Sequence, residues 1–492
     1  MKHHHHQGLR GGGHWLKDWL TIRFRPFLLP IAAGALAGLA LPPLGWPWLL
    51  WLALVPLWSC GARGGALWGG FAVLLSHRWL LALHPLDWVG VPSLLSLPLA
   101  LLLLGICAGA GAALVATWCV LVQRLEPRRW STALLASVLW GLMELLLAKG
   151  PLFWIGLSAV VLPGDRLLAA LAQIGGPPLL TALQLVLAWL LWRRRWALFV
   201  LLLVLSHGLG GWLLSQTVPA AGAGQPLQLV SVQPALPTRE KFSVAQQLQQ
   251  RRLLQQGFFV AAAQAADAVV LPEGSLPLGE TLEPPAAVEL LSGGFRRVGP
   301  EERSSVLWFP ADASKHRRGL DKHRLVPLGE WVPGGHWSGL SAVGGLTPGD
   351  ADRLLALPPP LGPLAVAICY ELSDAEALAR AIRGGADWIL TVANLDPYPA
   401  QLQQQFLMQA QLRALESRRW LLSVANTGPT AVINPRGQQL QALVPNRPQL
   451  GLMQLWRRGD RTLWVRWGAS PSLLVLAGAV LWRLLARPLR AT

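Results

Sequence analysis

The stretch Leu364-Ala-Val-Ala-Ile-Cys-Tyr-Glu371 decides how the soluble half of this chain folds. Its run of five apolar residues predicts a buried strand, and Cys369 and Glu371 stand where that strand ends. In layered α/β folds, the residues that carry chemistry collect where strands end and loops begin. A cysteine in an apolar run is most often an inert core residue, so this stretch indicates a site only if reactive partners lie elsewhere in the chain.

Two further stretches place charged residues at predicted loop junctions. Val269-Val-Leu-Pro-Glu-Gly-Ser-Leu-Pro277 leaves Glu273 just past an apolar strand, and Asp321-Lys-His-Arg-Leu-Val-Pro-Leu-Gly-Glu-Trp-Val-Pro333 contains Lys322 and Glu330. A cysteine attacks as a thiolate and needs a neighbouring base or cation. A carboxylate can take the thiol proton, and an ammonium can stabilise the thiolate and the oxyanion that forms on attack. Together these residues predict a cysteine nucleophile with acid–base support.

Strands and helices alternate around these stretches, from about residue 217 to residue 468, which predicts a layered α/β domain. The predicted strands are 227–233, 266–271, 305–309, 363–369, 387–393, 420–425 and 430–434. The predicted helices are 242–265, 373–383 and 400–417.

Outside this domain the chain is strongly apolar. It is 53% hydrophobic and 14% charged overall, whereas soluble domains carry about a quarter charged residues, so an ordinary soluble protein and a disordered one are both excluded. A membrane span needs roughly 20 mostly apolar residues. Seven spans are predicted at 27–44, 46–62, 64–84, 92–122, 130–160, 166–191 and 196–215. The windows 92–122 and 130–160 exceed one straight span, so we expect interfacial turns inside them. An eighth span is predicted near 469–487, where a short buried amphipathic helix is the alternative.

The basic residues of the connections indicate an orientation. Arg63, the segment 123–129 and the segment 192–196 all fall on one side of the predicted bundle, which is the cytoplasmic side by the positive-inside rule. Both termini are then cytoplasmic and the α/β domain is extracytoplasmic. The predicted organisation has four parts. Residues 1–19 are a tag, linker and cytoplasmic terminus, and 20–216 are the seven spans. Residues 217–468 are the α/β domain, and 469–492 are the eighth span with its cytoplasmic tail.

The net charge of +17 follows from this arrangement without a nucleic-acid partner. Arginines at the cytoplasmic ends of the spans follow the positive-inside rule, and arginines on the outer domain can meet anionic lipid headgroups. The membrane bilayer is therefore the predicted partner of the basic surface.

Two ionisable residues, Arg78 and Glu144, lie inside apolar spans, where such residues usually face a partner or a water-filled cavity. Each stands 14 residues beyond the start of its predicted span (78 minus 64, and 144 minus 130), or roughly 21 Å along a helix. Equal depth predicts an ion pair between them. The alternative is that Arg78 reaches the outer headgroups while Glu144 is bonded elsewhere.

The Glu-Lys-Cys set resembles the nitrilase superfamily, whose triad forms acyl-thioester intermediates on an αββα sandwich. With seven spans before it and one after, the chain resembles the bacterial apolipoprotein N-acyltransferase family over residues 20–490. The motifs that carry the resemblance are Pro272-Glu-Gly274, Lys322-His-Arg-Leu-Val-Pro-Leu-Gly-Glu330 and Ile368-Cys-Tyr-Glu371, with weaker matches at 140–144, 424–428 and 432–437. Four departures concern substrate contacts. Asn394-Leu-Asp-Pro-Tyr398 replaces an Asn-Asp-Ala-Trp-Phe type of segment, and Gln233-Pro-Ala235 replaces a Gln-Gly-Asn pattern. Phe242 replaces a common Trp, and Glu144 is followed by Leu-Leu-Leu where Trp-Leu-Arg is usual.

The resemblance implies a mechanism and a cellular setting. Glu273 would act as the base, Cys369 as the nucleophile towards a phospholipid acyl ester, and Lys322 as the oxyanion stabiliser. The acyl chain would then pass to the α-amino group of a diacylglyceryl apolipoprotein at the bacterial inner membrane. Glu330 and Glu371 would orient Lys322 and shape the cysteine pocket, and Tyr370 would line it. No metal and no organic cofactor is implied.

The resemblance also predicts a gate over the acyl entry in the apolar, Trp-rich loop 331–340, with Trp331 and Trp337 as its anchors. An ordinary interfacial loop has the same composition.

Two other functions remain open. One is a membrane-tethered nitrilase-like amidase, although seven spans are excessive for a tether. The other is a non-catalytic lipid-binding or lipoprotein-binding membrane protein, although an intact Glu-Lys-Glu-Cys set argues against a decayed site.

Overall fold

The computed structural model of the chain describes residues 27–485, except 88–89, 152, 217–223, 241–242, 281, 283–287, 313, 328, 332–344 and 397. The described residues form a helical bundle, built from both ends of the chain, and an α/β domain between its two parts. The two regions pack directly against each other, and one long helix of the α/β domain belongs to the cores of both.

The bundle consists mostly of apolar helices. In chain order they are α1 (Phe27–Ala40), α2 (Pro47–Leu54), α3 (Ala62–Ser76), α4 (Ser93–Arg124), α5 (Trp130–Leu147), α6 (Arg166–Ala169), α7 (Ala172–Trp192) and α8 (Trp196–Gln216). Among the described residues, four of these helices are long and apolar enough to cross a membrane: α4, α5, α7 and α8. Short 3₁₀-helices lie between the bundle helices at Val55–Trp58, Arg78–Leu83 and Leu157–Val161. The four helices are consistent with the prediction that this is a membrane protein. The full set of eight spans stays a prediction.

The two long windows behave differently from each other. The expected turn inside window 92–122 is wrong, because α4 runs without a break for 32 residues. At 1.5 Å per residue it is about 48 Å long, which is more than a hydrocarbon core of about 30 Å needs, and the helix has no break along this length. The expected turn inside window 130–160 is present, since α5 ends at Leu147 and irregular backbone precedes the turn Leu157–Val161.

The α/β domain contains two six-stranded sheets. The strands are β1 (Leu227–Gln233), β2 (Ala268–Leu276), β3 (Glu289–Val298), β4 (Glu301–Phe309), β5 (Arg318–Asp321), β6 (Leu354–Leu355), β7 (Leu364–Ile368), β8 (Trp388–Ala393), β9 (Leu421–Ala425), β10 (Ala431–Ile433), β11 (Gln439–Ala442) and β12 (Gln449–Leu455). The first sheet has the order β12-β1-β2-β3-β4-β5, and the second has the order β11-β10-β9-β8-β7-β6. In each sheet three parallel strands are flanked by antiparallel ones: β1, β2 and β3 in the first, and β7, β8 and β9 in the second.

The remaining helices are α9 (Val244–Ala263), α10 (Ala375–Arg383), α11 (Ala400–Ser417), α12 (Leu463–Trp467) and α13 (Ser470–Leu485). Apolar residues of both sheets, such as Val270 and Val366, meet in one buried layer between the sheets. Helix α9 covers the outer face of the first sheet, and α10 and α11 cover that of the second. This is the αββα sandwich that the resemblance implied.

Each of the seven predicted strands coincides with an observed strand, but β3, β5, β6, β11 and β12 were not predicted. Strand β3 has the sequence ELLSGGFRRV. Its glycine pair and its charged end weaken the pattern by which a strand is recognised from sequence. The structure shows why a glycine is needed there: a Cβ on Gly293 would lie 2.4 Å from the carbonyl oxygen of Pro272 and 2.5 Å from the Cα of Glu273. Gly293 therefore lets β3 pass close to the strand that carries Glu273.

Helix α11 joins the two regions. One of its faces, with Leu402 and Phe406, packs on the second sheet, and another, with Met408 and Leu412, belongs to the core of the bundle. Three buried or half-buried glutamines at four-residue spacing line up along the helix and donate amide N–H groups to main-chain carbonyls of the bundle. These are Gln401 and Gln405, both to the carbonyl of Ser76, and Gln409 to that of Trp154. Because the acceptors are backbone atoms, the contacts set the position of the domain over the helix ends.

Candidate active site

The predicted site residues converge where strands of both sheets end. Parallel strands β7, β8 and β9 end side by side, and the next residues in the chain are Cys369, Asn394 and Asn426. Strand β2 carries Glu273, and β5 ends one residue before Lys322. Residues as far apart in sequence as Glu273 and Asn426 (426 minus 273, or 153 positions) thus reach one edge of the sandwich, as layered α/β folds favour.

Lys322 lies between two carboxylates. Its Nζ donates to Oε1 of Glu273 at 2.6 Å and lies 2.8 Å from Oε2 of Glu330. The lysine is 1% exposed, and an ammonium so buried is tolerated only when it is paired and hydrogen-bonded. Burial alone would lower the pKa of Lys322, but the charges of Glu273 and Glu330 outweigh it and raise that pKa well above its ordinary value. Lys322 therefore keeps its positive charge.

The second oxygen of Glu273 is also held. Oε2 accepts the backbone N–H of Asn394 at 2.9 Å. The side chain of Asn394 accepts from Nδ2 of Asn426 at 2.9 Å and donates to Oγ1 of Thr238 at 3.0 Å. Each carboxylate oxygen of Glu273 thus has a donor that fixes its direction, which is what a general base needs.

Cys369 begins a helical turn, Cys369–Ser373, with a φ of 53°. This left-handed conformation costs a residue with a Cβ some energy and is often found at active sites. Burial, and then the negative charge of Glu273, raise the pKa of the Cys369 thiol well above its ordinary value, while Lys322 opposes them. The Cys369 thiol therefore holds its proton, and a thiol in this state becomes a nucleophile only when a base takes that proton.

Glu371 and Glu330 have different places around Lys322. Glu330 contacts the ammonium directly, and burial raises the pKa of Glu330 although the charge of Lys322 opposes this. Glu371 does not contact Lys322 in the described contacts. Its carboxylate accepts the backbone N–H groups of His323 at 2.6 Å and Ile368 at 2.9 Å, and it pairs with Arg353 at 2.8 Å. Glu371 therefore ties the backbone beside Lys322 to the backbone before Cys369.

Tyr370 and Tyr398, the two tyrosines of the chain, lie together behind Cys369. The Tyr370 ring is 5.3 Å from that of Phe153, and the Tyr398 ring is 5.4 Å from that of Trp79. Burial and the neighbouring phenol raise the pKa of Tyr370 well above its ordinary value, and burial raises that of Tyr398 to about 12. Both phenols stay neutral and connect the cysteine turn to rings from the bundle.

The predicted ion pair between Arg78 and Glu144 is wrong. Glu144 accepts from Oγ1 of Thr181 at 2.6 Å, the backbone N–H of Leu157 at 2.8 Å and the indole of Trp140 at 3.1 Å. Arg78 donates from Nη1 to the carbonyl of Leu75 at 2.8 Å. The depth estimate assumed one continuous span over 64–84, but α3 ends at Ser76 and Arg78 begins a tighter helical turn.

The predicted gate is only partly within the described residues. Trp331 lies at the start of the loop with 48% of its surface exposed. Trp337 lies outside the described residues, so the gate stays a prediction. Among the residues that the structure describes, no group of three or more His, Cys, Asp or Glu side chains is arranged to hold a metal ion.

Sequence reasoning missed several residues of this site. Asn394 and Asn426 each follow an apolar predicted strand directly, and Cys369 is the last residue of another, so the strand-end rule could have found both asparagines. The contact of Asn394 with Glu273 uses a backbone N–H, for which a sequence carries no signal. The pairing of Arg353 with Glu371 joins residues 18 positions apart, on either side of the paired strands β6 and β7, and no local pattern marks it.

Comparison with known proteins adds independent information. Residues 299–454 match the carbon-nitrogen hydrolase family, a range that includes Lys322, Glu330 and Cys369. The chain is 47% identical over 457 residues to an apolipoprotein N-acyltransferase of Parasynechococcus marenigrum (strain WH8102), covering 90% of this chain and 97% of that protein. It is 46% identical over 475 residues to the apolipoprotein N-acyltransferase of Prochlorococcus marinus (strain MIT 9313), covering 91% and 93%. Among solved structures, it is similar to Saccharomyces cerevisiae Nit3, a member of branch 10 of the nitrilase superfamily, with 15% identity and a TM-score of 0.37, covering 56% of this chain and 99% of that one.

Proposed function

The chain belongs to the apolipoprotein N-acyltransferase family, and from that premise we propose that Glu273, Lys322 and Cys369 carry out its acyl transfer. The observation that carries this assignment is the buried ammonium of Lys322, held at 2.6 Å from Glu273 and 2.8 Å from Glu330 beside a buried thiol. The acyl donor is a membrane phospholipid, and the acceptor is the α-amino group of a diacylglyceryl apolipoprotein.

In the first half of the reaction, Glu273 takes the proton of the Cys369 thiol and the sulfur attacks the ester carbonyl of the phospholipid. A carbon–sulfur bond forms and the carbon–oxygen ester bond breaks. Lys322 and nearby backbone N–H groups stabilise the oxyanion of the tetrahedral intermediate. The proton on Glu273 passes to the departing oxygen, so lysophospholipid leaves and the acyl chain remains on Cys369 as a thioester.

In the second half, the acceptor's amino nitrogen attacks the thioester carbonyl. Glu273 receives a proton from that nitrogen, the carbon–nitrogen bond forms, and the carbon–sulfur bond breaks. The proton returns to the sulfur of Cys369, which restores the thiol. The product is a triacylated lipoprotein, and the buried position of Cys369 shields the thioester from water between the two halves.

The setting we propose is the bacterial inner membrane, with both termini cytoplasmic and the α/β domain periplasmic. The basic connections 123–129 and 192–196 support this orientation through the positive-inside rule. A site that faces the outer leaflet would meet both the phospholipid donor and an exported lipoprotein.

The test is mass spectrometry of the purified protein after exposure to phospholipid. We expect an acyl adduct on Cys369 that disappears when a diacylglyceryl lipopeptide is added and acylated. Cys369→Ala should give no adduct and no transfer, and Cys369→Ser little or none, because an alcohol is a far weaker nucleophile than a thiolate.

Cys107→Ala is the matched control, since Cys107 is a free thiol within α4, and it should keep full activity. An adduct on another residue, or full activity in Cys369→Ala, would contradict the mechanism. Release of ammonia from a small amide would instead favour an amidase, and binding of lipid without turnover would favour a non-catalytic protein.

A further inference from the structure

A cavity of about 410 Å³ lies inside the helical bundle, between α3, α4, α5 and the backbone of 154–157. Cys369 is not among the residues that line it. The volume falls within the range of roughly 300–1,000 Å³ that is typical of small-molecule sites. The lining residues on α4 extend from Gly111 to Leu121, so the cavity runs about 15 Å along that helix.

The walls of the cavity are almost entirely apolar, and its polar side chains, apart from the indole of Trp154, already have partners. Glu144 is bonded to Thr181, Trp140 and Leu157, as described above. Oγ of Ser76 lies 2.8 Å from Nδ1 of His77. A polar ligand would find few groups to bind, whereas a hydrocarbon would restore the dispersion contacts that an open space withholds from its lining.

The cavity also has a side that faces the surroundings of the bundle. Leu114 on α4 and Met143 on α5 both line it and are 36% and 38% exposed. These helices are two of the four that are apolar and long enough to cross a membrane. The surface around the opening therefore meets lipid, and a chain could pass from the bilayer sideways between α4 and α5.

One end of the cavity approaches the catalytic site. Trp154 and His77 line that end, and their near neighbours Phe153 and Trp79 pack on Tyr370 and Tyr398 behind Cys369. The indole N–H of Trp154 has no hydrogen-bond acceptor among the described residues. An ester carbonyl at this end of the cavity would supply that acceptor.

We propose that this cavity binds one acyl chain of the donor phospholipid and thereby selects its length. The inference rests on the proposed function. The carbonyl carbon that Cys369 attacks is the first carbon of the donor's own chain, so the chain must begin at the site and extend away from it into the bundle. The chains of an acceptor begin several bonds away from its reacting nitrogen, which makes the donor the better fit for a cavity whose end lies next to the rings that pack on Tyr370 and Tyr398.

The first experiment narrows the cavity and compares donors. Ala72→Leu on α3 and Ala113→Phe on α4 replace small lining residues, and Ala110→Phe, exposed on α4 and outside the lining, is the matched control. The rate of Cys369 acylation is measured with dipalmitoyl and with dihexanoyl phosphatidylethanolamine. We expect the lining variants to lose about tenfold with the long chain, or about 1.4 kcal/mol, because the larger side chain fills space that the long chain needs, and to stay within about twofold of wild type with the short one. Equal losses with both donors would overturn the proposal.

The second experiment needs no chemistry at Cys369. A phosphatidylethanolamine with a photoreactive diazirine at the end of one chain is bound to the wild-type protein and irradiated, and the labelled residues are mapped. Labels on lining residues such as Leu114, Val115 or Met143 support the cavity, and labels confined to other surfaces overturn it. Labelling of these residues by a diazirine-bearing diacylglyceryl lipopeptide, but not by the phospholipid, would assign the cavity to the acceptor and also overturn the proposal. Failure of wild type to acylate Cys369 would refute the proposed function, while the labelling would still decide the cavity.

Discussion

Two regions of this molecule bury carboxylates, and they do so in different ways. In the α/β domain, Glu273 and Glu330 share the ammonium of Lys322. In the bundle, Glu144 has no cation among its described contacts and accepts from a hydroxyl, an indole and a backbone N–H. The first arrangement places charges beside the thiol of Cys369, and the second joins three segments of the bundle. A buried acidic residue therefore indicates catalysis here only where a cation and a reactive group adjoin it.

The two arrangements should also differ in what a substitution costs the protein, stability or chemistry. Glu144 connects α5 to α7 through Thr181 and to the turn after α5 through Leu157, so its role is to hold segments in place. Lys322 and Glu273 hold each other in place as well, but they also set the charge around the thiol of Cys369. Removal of the first group should cost stability, and changes in the second should cost chemistry.

The largest effect is expected from Glu273→Gln and Lys322→Arg. The glutamine is isosteric but cannot take a proton, and the guanidinium of arginine is a wide fork in place of a compact ammonium. Each change should lower kcat by roughly a thousandfold, within the range for loss of a general acid or base. Steady-state acyl transfer measures this, with Glu302→Gln on β4 as a control that pairs with Arg297 at the surface. Near-normal turnover in Lys322→Arg would contradict the proposed contact of Lys322 with the oxyanion and leave it only a long-range electrostatic effect.

The next effect is on stability. Glu144→Leu leaves the donors on Thr181, Trp140 and Leu157 without their acceptor, so we expect the free energy of unfolding to fall by about 3 kcal/mol. Denaturation in detergent measures it, and Met143→Leu, the exposed neighbour on the same helix, should stay close to wild type. The pH dependence of Cys369 reactivity should remain unchanged in the folded variant. An unchanged unfolding free energy would remove the structural role of Glu144.

A smaller effect is a shift in pH dependence. The negative charge of Glu330 helps to raise the pKa of the Cys369 thiol, so Glu330→Gln should lower that pKa. The rate of Cys369 alkylation by iodoacetamide, followed against pH, should then begin to rise at a lower pH than in wild type. Glu376→Gln is the control, because Glu376 pairs with Lys149 away from the thiol. A shift to higher pH would show that the loss of Glu330 acts mainly by releasing Lys322 from its position.

The smallest effect concerns Arg78. Its guanidinium donates to a carbonyl of the preceding turn, so Arg78→Leu should cost no more than about 1 kcal/mol of unfolding free energy. In the double variant with Glu144→Leu, the two losses should add to within about 0.5 kcal/mol, as they do for sites without a shared contact. A larger coupling energy between the two substitutions would be evidence for an ion pair between Arg78 and Glu144 and would contradict the structure.

The amino-acid sequence predicted much of the catalytic domain correctly because its signals are local. Apolar runs mark β2, β7 and β8, and a reactive residue inside or just after a run marks Glu273 and Cys369. Strand β3 was not predicted because it contains Gly293, which has a low strand propensity. The glycine is needed there because the backbone of Glu273 lies too close for a Cβ. The equal depth of Arg78 and Glu144 failed for a similar reason, because the end of α3 at Ser76 is set by what packs around it.

The sequence by itself determined the apolar helices, the alternation of strands and helices, and the identities of a thiol, an ammonium and two carboxylates at loop junctions. These follow from periodicity and residue chemistry, which act over a few residues. Only the tertiary structure decided that Lys322 lies between Glu273 and Glu330, that Glu371 binds the backbone on both sides of the site, and that Glu144 binds Thr181. These contacts join residues distant in the chain, and their partners include backbone N–H groups, which every residue but proline carries and no sequence pattern distinguishes.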